Sequence, residues 1–354
     1  MIDRPDVLVL GAGGALAERW MHGLLAGLAE GAGIDARAVE QFVGTSAGAI
    51  VAAHLLAGRA PERPDGADAT DRGAGAADRG ADSTDAGADD AKSGALAADA
   101  GVGAADATDP GADTADAAAV EVRGPGRARR LLGAVPGGVG KVARAAGGPL
   151  APYALAATRP PGSLLRANVL GRIEPQTATL DELGRRLARD GLHFDGRLRV
   201  VCVERESGRR VVFGAPGAPR ATVAEAIQAS CSVPWLYRPV RIGEHDYVDG
   251  GLWSPTSIDV APAARETRVL CLNPTGSSAG DAAPHGVIRT TSRSAAALEA
   301  LTLRRRGADV TVIAPNRAAA AALSGGWVSQ DADAPAEQAL AAGFRQGLAL
   351  ARGD

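Results

Sequence analysis

The chain has 354 residues, 46% hydrophobic and 22% charged, enough apolar material for a sizeable core, which excludes a wholly disordered, collagen-like or disulfide-stapled protein. Its 38 Lys and Arg nearly balance 41 Asp and Glu, for a net charge of -3, and nothing in that balance points to a nucleic-acid partner. Three cysteines in no metal-ligand spacing (Cys202, Cys231, Cys271), no signal-like leader and no uninterrupted apolar run of about 18 residues lead to the expectation of a cytoplasmic chain.

From the N-terminus, residues 6–10 (Asp-Val-Leu-Val-Leu) read as a buried strand and Gly11-Ala12-Gly13-Gly14 as a loop. Trp20, Met21, Leu24, Leu25 and Leu28 then recur at helical spacing, and Gly31 and Gly33 are expected to end that helix. A second strand is predicted over 39–43, broken by Gly44, and a second helix over 47–56. Residues 61–120 change composition abruptly. They hold 13 Asp and one Glu against three Arg and one Lys, a net -10 that leaves +7 on the rest, and they are expected to be a disordered insert in a domain that otherwise spans 1–354. Beyond it, 123–146 is basic and Gly-rich, 180–189 reads as a helix, and 198–203 and 210–213 read as a hairpin around Ser207-Gly208. A helix over 221–229, strands over 237–242, 247–248 and 268–272, a helix over 295–306 and a last strand over 309–313 follow. This alternation implies an α/β fold, a central largely parallel sheet between layers of helices.

The pentapeptide Gly44-Thr45-Ser46-Ala47-Gly48 stands between a predicted strand and a predicted helix. There it makes physical sense as a nucleophile elbow, with Gly44 and Gly48 leaving room for a tight turn that thrusts Ser46 out at a helix N-terminus. Gly11–Gly14 has two readings. A dinucleotide fingerprint needs a third glycine where Leu16 stands and an acidic residue ending the next strand, which here runs into the serine instead. An oxyanion loop needs only backbone N–H groups beside the elbow, which adjacent parallel strands would supply. Asp249-Gly250-Gly251 closes a short strand, and its two glycines let a carboxylate approach another loop closely.

Those three pieces, in this order, resemble the patatin-like phospholipases. The stretch 226–234 (Ala-Ile-Gln-Ala-Ser-Cys-Ser-Val-Pro) and the hairpin 207–213 are also similar to segments of that family. The resemblance implies the family's three-layer fold and a Ser-Asp dyad, with Ser46 as nucleophile, Asp249 as general base and Gly13, Gly14 and Ala15 as oxyanion donors. It further implies a lipid acyl hydrolase that cleaves phospholipid or other acyl esters through an acyl-enzyme, without metal or organic cofactor; peripheral membrane contact is a separate expectation that rests on the basic stretch after the insert. The chain departs from the family pattern at Leu16-Ala17, where Arg-Gly is usual, and at Ala12, which interrupts the glycine run. Two alternatives therefore stand beside this reading: a catalytically impaired lipid-binding protein of the same fold, and a nucleotide-binding α/β protein.

Histidine separates a dyad from a Ser-Asp-His triad. Only His285 follows Asp249, in a stretch that reads as a surface loop, while His22 and His54 fall on the two early helices and read as structural. A carboxylate base must then be raised in pKa by burial to accept the serine proton directly. The basic stretch with Arg123, Arg127, Arg129, Arg130, Lys141 and Arg144, followed by Pro149, Leu150, Tyr153 and Leu155, reads as a solvated lid or a surface resting on anionic lipid. Trp235, Leu236 and Tyr237 are expected in a core or in the wall of an acyl pocket.

Overall fold

The computed structural model describes residues 2–65, 162–277, 285–324 and 333–353. Its elements in chain order are β1 (Val7–Leu10), α1 (Gly14–Ala32), β2 (Gln41–Thr45), α2 (Ala47–Leu56), α3 (Ser163–Arg172), α4 (Asp181–Arg189), β3 (Leu198–Glu204), β4 (Arg210–Phe213), α5 (Val223–Cys231), β5 (Val240–Ile242), β6 (His245–Asp249), β7 (Arg268–Leu272), α6 (His285–Arg304), β8 (Asp309–Ile313), α7 (Arg317–Leu323) and α8 (Asp333–Arg352). One eight-stranded sheet runs β5-β6-β3-β2-β1-β7-β8, with β4 also paired to β3. Pairings from β3 through β8 are parallel, and those of β3 with β4, β3 with β6 and β5 with β6 are antiparallel. The fold is α/β, as the alternation of elements implies.

Strand periodicity builds the layers. In β1, Leu8 and Leu10 face one core with Trp20, Leu24, Val51 and Ile227, while Val7 and Val9 face a second core with Ala296, Ala300 and Leu303. Successive side chains of a strand point to opposite faces, so a run that is apolar at every position must be covered on both. Helices α1, α2, α5, α7 and α8 cover the first face and α6 the second.

A glycine seam binds the ends of the chain together. Gly23 and Gly27 of α1 face Gly343 and Gly347 of α8, and a Cβ at Gly27 would sit 2.3 Å from the Phe344 carbonyl oxygen. The two helices thus touch backbone to backbone. Buried Gln346 pins the seam, accepting from Trp20 Nε1 at 3.1 Å and donating to the Ala314 carbonyl at 2.8 Å.

Several elements differ from their sequence-based bounds. Gly31 does not end α1, which continues to Ala32 and closes on Gly33 in the left-handed region. Strand β2 starts at Gln41 and runs through Gly44, because Gly44 and Thr45 keep their parallel partners Leu10, Val200 and Val201. Residues 237–239 are outside β5: the Tyr237 N–H turns back to the Val233 carbonyl, and Pro239 has no N–H to give a ladder. His285 begins α6 instead of lying in a surface loop. Helices α3, α7 and α8 carry no expectation from the sequence.

The expected insert is outside the described residues from 66 onward, as is the basic stretch 123–155. Residues 61–65 are described, and they lie against the body: Glu62 pairs with Arg19, Arg63 pairs with Glu30, and the Arg63 guanidinium stacks over Phe344. The cysteines are free and buried. Among the described residues no helix is long and apolar enough to cross a membrane.

Candidate active site

Strand pairing places the site. Val201 pairs with Thr45 of β2 and Val212 of β4, and Cys202 pairs with Val211 of β4 and Asp249 of β6. A strand residue has one partner on each edge, so β4 occupies one edge of β3, and β2 and β6 share the other. Strand β2 runs parallel to β3 and β6 antiparallel. Their C-terminal ends therefore meet head to head, Thr45 opposite Val201 and Asp249 opposite the next residue. Ser46, immediately after Thr45, is thereby delivered beside Asp249.

The elbow is tight. Ser46 caps α2 at φ 54°, ψ -122°, a positive φ outside the ordinary helix and strand basins of an L-residue. A Cβ at Gly44 would lie 2.4 Å from the Ala49 Cα, and one at Gly48 would lie 2.0 Å from the Leu10 carbonyl oxygen. Both flanking glycines are thus required by close approach. The Ser46 N–H donates to Ser230 Oγ at 2.8 Å, and that hydroxyl donates to the Val201 carbonyl at 2.7 Å.

Asp249 is held from both sides. Its Oδ1 accepts the Gly251 N–H at 2.7 Å, and its own N–H donates to the Ser232 carbonyl at 3.0 Å. The residue is only 4% exposed, and Ser46 is 8% exposed. Burial pushes the Asp249 carboxyl up to about 6, against the opposing pull of hydrogen bonding from the Ser46 side chain and the Gly251 N–H. The neighbouring Cys231 and Cys202 thiols are raised well above their ordinary range, first by burial and then by the Asp249 charge. They are inert thiols at neutral pH.

The Gly11–Gly14 loop meets both. Gly250 packs where a Cβ would strike the Val201 carbonyl and come within 3.1 Å of Thr45 Cγ2, and the Cβ position of Gly251 lies 3.4 Å from the Ala12 Cβ. Gly250 and Gly251 thus let the Asp249 motif approach both the elbow, at Thr45, and the Gly11–Gly14 loop, at Ala12. Gly11 donates to the Leu272 carbonyl at 3.0 Å and Ala12 to the Pro255 carbonyl at 2.8 Å. Gly13 then caps α1 and Gly14 turns through φ 73°, so the Gly13, Gly14 and Ala15 N–H groups fall at the helix end, where no preceding turn supplies acceptors. Ala12 does not take a positive φ, so its side chain is tolerated. Leu16 and Ala17 are buried in the core side of α1.

The sequence did not single out Ser230 or Ser232 individually, although both lie in the segment similar to the family. Their roles depend on where the end of α5 docks, which local pattern does not encode. Trp235 is half-buried against Leu170, Val203, Val248 and Leu252, a small core under β6.

Among the described residues two clusters have metal-ligand chemistry: Glu204, Glu206 and His245, largely exposed, and Glu18, His22 and His54. Atoms of Glu18, His22 and His54 lie within 4.8 Å of one another. His22 already engages both ring nitrogens, Nδ1 with the Glu62 N–H at 3.3 Å and Nε2 with His54 Nδ1 at 3.5 Å. Burial lowers His22 to about 4 and also lowers His54, so both rings are neutral at pH 7. Burial raises the Glu18 carboxyl to about 7, with Arg19 and Arg186 opposing. A neutral, hydrogen-bonded pair is what this geometry already satisfies, in line with the structural reading of both histidines.

No curated protein matches the sequence. The solved structure of VipD from Legionella pneumophila is similar at 15% identity and a TM-score of 0.40, over 99% of this chain and 67% of that one. The family model described as patatin-like phospholipase matches residues 8–262, well over half the sequence and all three motifs, and the chain therefore belongs to the patatin-like phospholipase family.

Proposed function

We propose that the protein hydrolyses lipid acyl esters with a Ser46–Asp249 dyad. Family membership supports lipid acyl hydrolysis at the level of the family. The observation that carries the finer reading is the head-to-head meeting of β2 and β6 on one edge of β3, which sets Ser46 against a buried carboxyl.

The ionised Asp249 accepts the Ser46 hydroxyl proton as Oγ attacks the ester carbonyl. A base with a pKa of about 6 is mostly ionised at neutral pH yet far more basic than a carboxylate in water. Negative charge develops on the former carbonyl oxygen, and the Gly13, Gly14 and Ala15 N–H groups, with the positive ends of α1 and α2, stabilise it. As the intermediate collapses, protonated Asp249 returns its proton to the departing alcohol. A water then gives its proton to Asp249 and attacks the acyl-Ser46 ester; as this second intermediate collapses, Asp249 returns the proton to the departing Ser46 Oγ, which releases the fatty acid and restores the serine. No step needs a metal or organic cofactor. Phospholipid at a membrane surface is the proposed substrate setting for a cytoplasmic protein of this kind.

Ser46→Ala and Asp249→Asn test the reading. Each should reduce ester hydrolysis to the same floor while the fold is kept, and the double variant should be no worse, because the two groups act as a unit. Turnover near wild type in either single variant would refute the dyad.

A further inference from the structure

An oxyanion loop made of glycine and alanine has no side chain with which to hold itself. Its backbone must be held from outside. The last fixed point before the Gly13, Gly14 and Ala15 N–H groups is the bond from the Ala12 N–H to the Pro255 carbonyl, at 2.8 Å. Pro255 sits in an irregular, fully buried segment that includes Ser257 at φ 51°, a left-handed conformation that a non-glycine residue keeps only when its surroundings enforce it.

The enforcing contacts come from two places. Ser254 Oγ accepts the N–H groups of Thr256 and Ser257, at 3.3 and 3.1 Å. Glu299, 2% exposed on α6, meets the segment directly, and its Oε2 accepts Thr256 Oγ1 at 2.7 Å and the Ile258 N–H at 2.9 Å. One carboxylate oxygen thus clamps the residues on both sides of Ser257. A carboxylate is costly to bury without hydrogen-bond donors, and these two donors offset part of that cost.

We propose that Glu299 is a positioning residue that sets the oxyanion loop through the Pro255 carbonyl. Glu299 lies beyond the stretch matched by the family model, so this brace is contributed by a part of the chain that the family match does not cover. Its consequence for catalysis rests on the Ser46–Asp249 reading, while the brace itself is a statement about the Ala12 backbone.

Two variants and two readouts test it in the full chain. Glu299→Leu removes the acceptor, and Glu299→Gln keeps a carbonyl oxygen for the same two donors. With a soluble chromogenic acyl ester, Glu299→Leu should lower kcat about 10- to 100-fold with KM within about threefold, and Glu299→Gln should return kcat to within about threefold of wild type. Amide exchange followed by mass spectrometry should rise about tenfold or more in peptides covering residues 11–16 of Glu299→Leu and stay at the wild-type rate in β2 and in Glu299→Gln. If Glu299→Leu does not fold, Thr256→Val, which removes only the hydroxyl donor, should show the same changes in smaller measure. Wild-type exchange over 11–16 in Glu299→Leu, or a kcat loss that glutamine does not rescue, would overturn the proposal. A wild-type protein without Ser46-dependent hydrolysis would overturn the dyad instead, and the exchange rates would still decide the brace.

Discussion

Replacing Asp249 by Asn keeps the shape of the side chain and both of its contacts, since the amide oxygen can accept the Gly251 N–H and the amide nitrogen can donate to Ser46. Only the charge is lost. The native carboxyl titrates at about 6 against 3.8 for the ordinary group, and each unit is worth about 1.4 kcal/mol, or roughly 3 kcal/mol in all. Because the folded-state pKa is raised, the stabilising contribution of the protonated group is fully present below about pH 4 and is lost as pH rises to about 6. Above that, the buried anion weighs against the native state. Asp249→Asn should therefore match wild type in stability near pH 4 and exceed it by roughly 3 kcal/mol at pH 7, or about 5–10 °C in Tm for a domain of this size. Glu18 titrates equally in both proteins and cancels from the difference. Thermal and urea unfolding of the pair from pH 4 to pH 8 measures it, and a difference that is independent of pH, or an Asn variant less stable at pH 7, would refute the reasoning.

The same carboxyl sets the rate profile: hydrolysis should show an acid limb with its midpoint at about pH 6, falling roughly tenfold between pH 7 and pH 5, and a limb near pH 4 would contradict it. Ser230→Ala removes the acceptor of the Ser46 N–H and the donor to the Val201 carbonyl, and should lower kcat by about tenfold and stability by about 1–3 kcal/mol; an unchanged kcat would show that the elbow holds itself. Gly27→Ala should gain about 1 kcal/mol of helix propensity. Its Cβ would also meet the Phe344 carbonyl oxygen at 2.3 Å and force α1 from α8, at about 3 kcal/mol, for a net loss of about 2 kcal/mol. A raised Tm would contradict the seam.

What the sequence made legible was local. Gly44 to Gly48, the Gly11–Gly14 loop and Asp249-Gly250-Gly251 each announce a constrained backbone, and the structure brings those three together at Gly250 and Gly251. Gly23, Gly27, Gly343 and Gly347 are glycines of another kind, set inside helices for a backbone contact between the chain's two ends, and local pattern reads them only as weak helix formers. Thr45 lies two residues beyond the predicted end of β2, because partners on β1 and β3, separated from it in sequence, hold Gly44 in the sheet. Ser230, Ser232 and Glu299 were not legible as site residues for the same reason. A serine hydroxyl or a carboxylate looks alike on a surface and in a buried clamp, and what distinguishes them is the partner that tertiary packing supplies.

Covalent capture at Ser46 bears most directly on the central claim. The full chain treated with a fluorophosphonate probe at pH 7–8, digested and mapped by mass spectrometry, should carry one adduct, on the peptide containing Ser46. Ser46→Ala should carry none, and Asp249→Asn should react far more slowly. Labelling at a serine other than Ser46, or labelling of Ser46→Ala equal to wild type, would contradict the account.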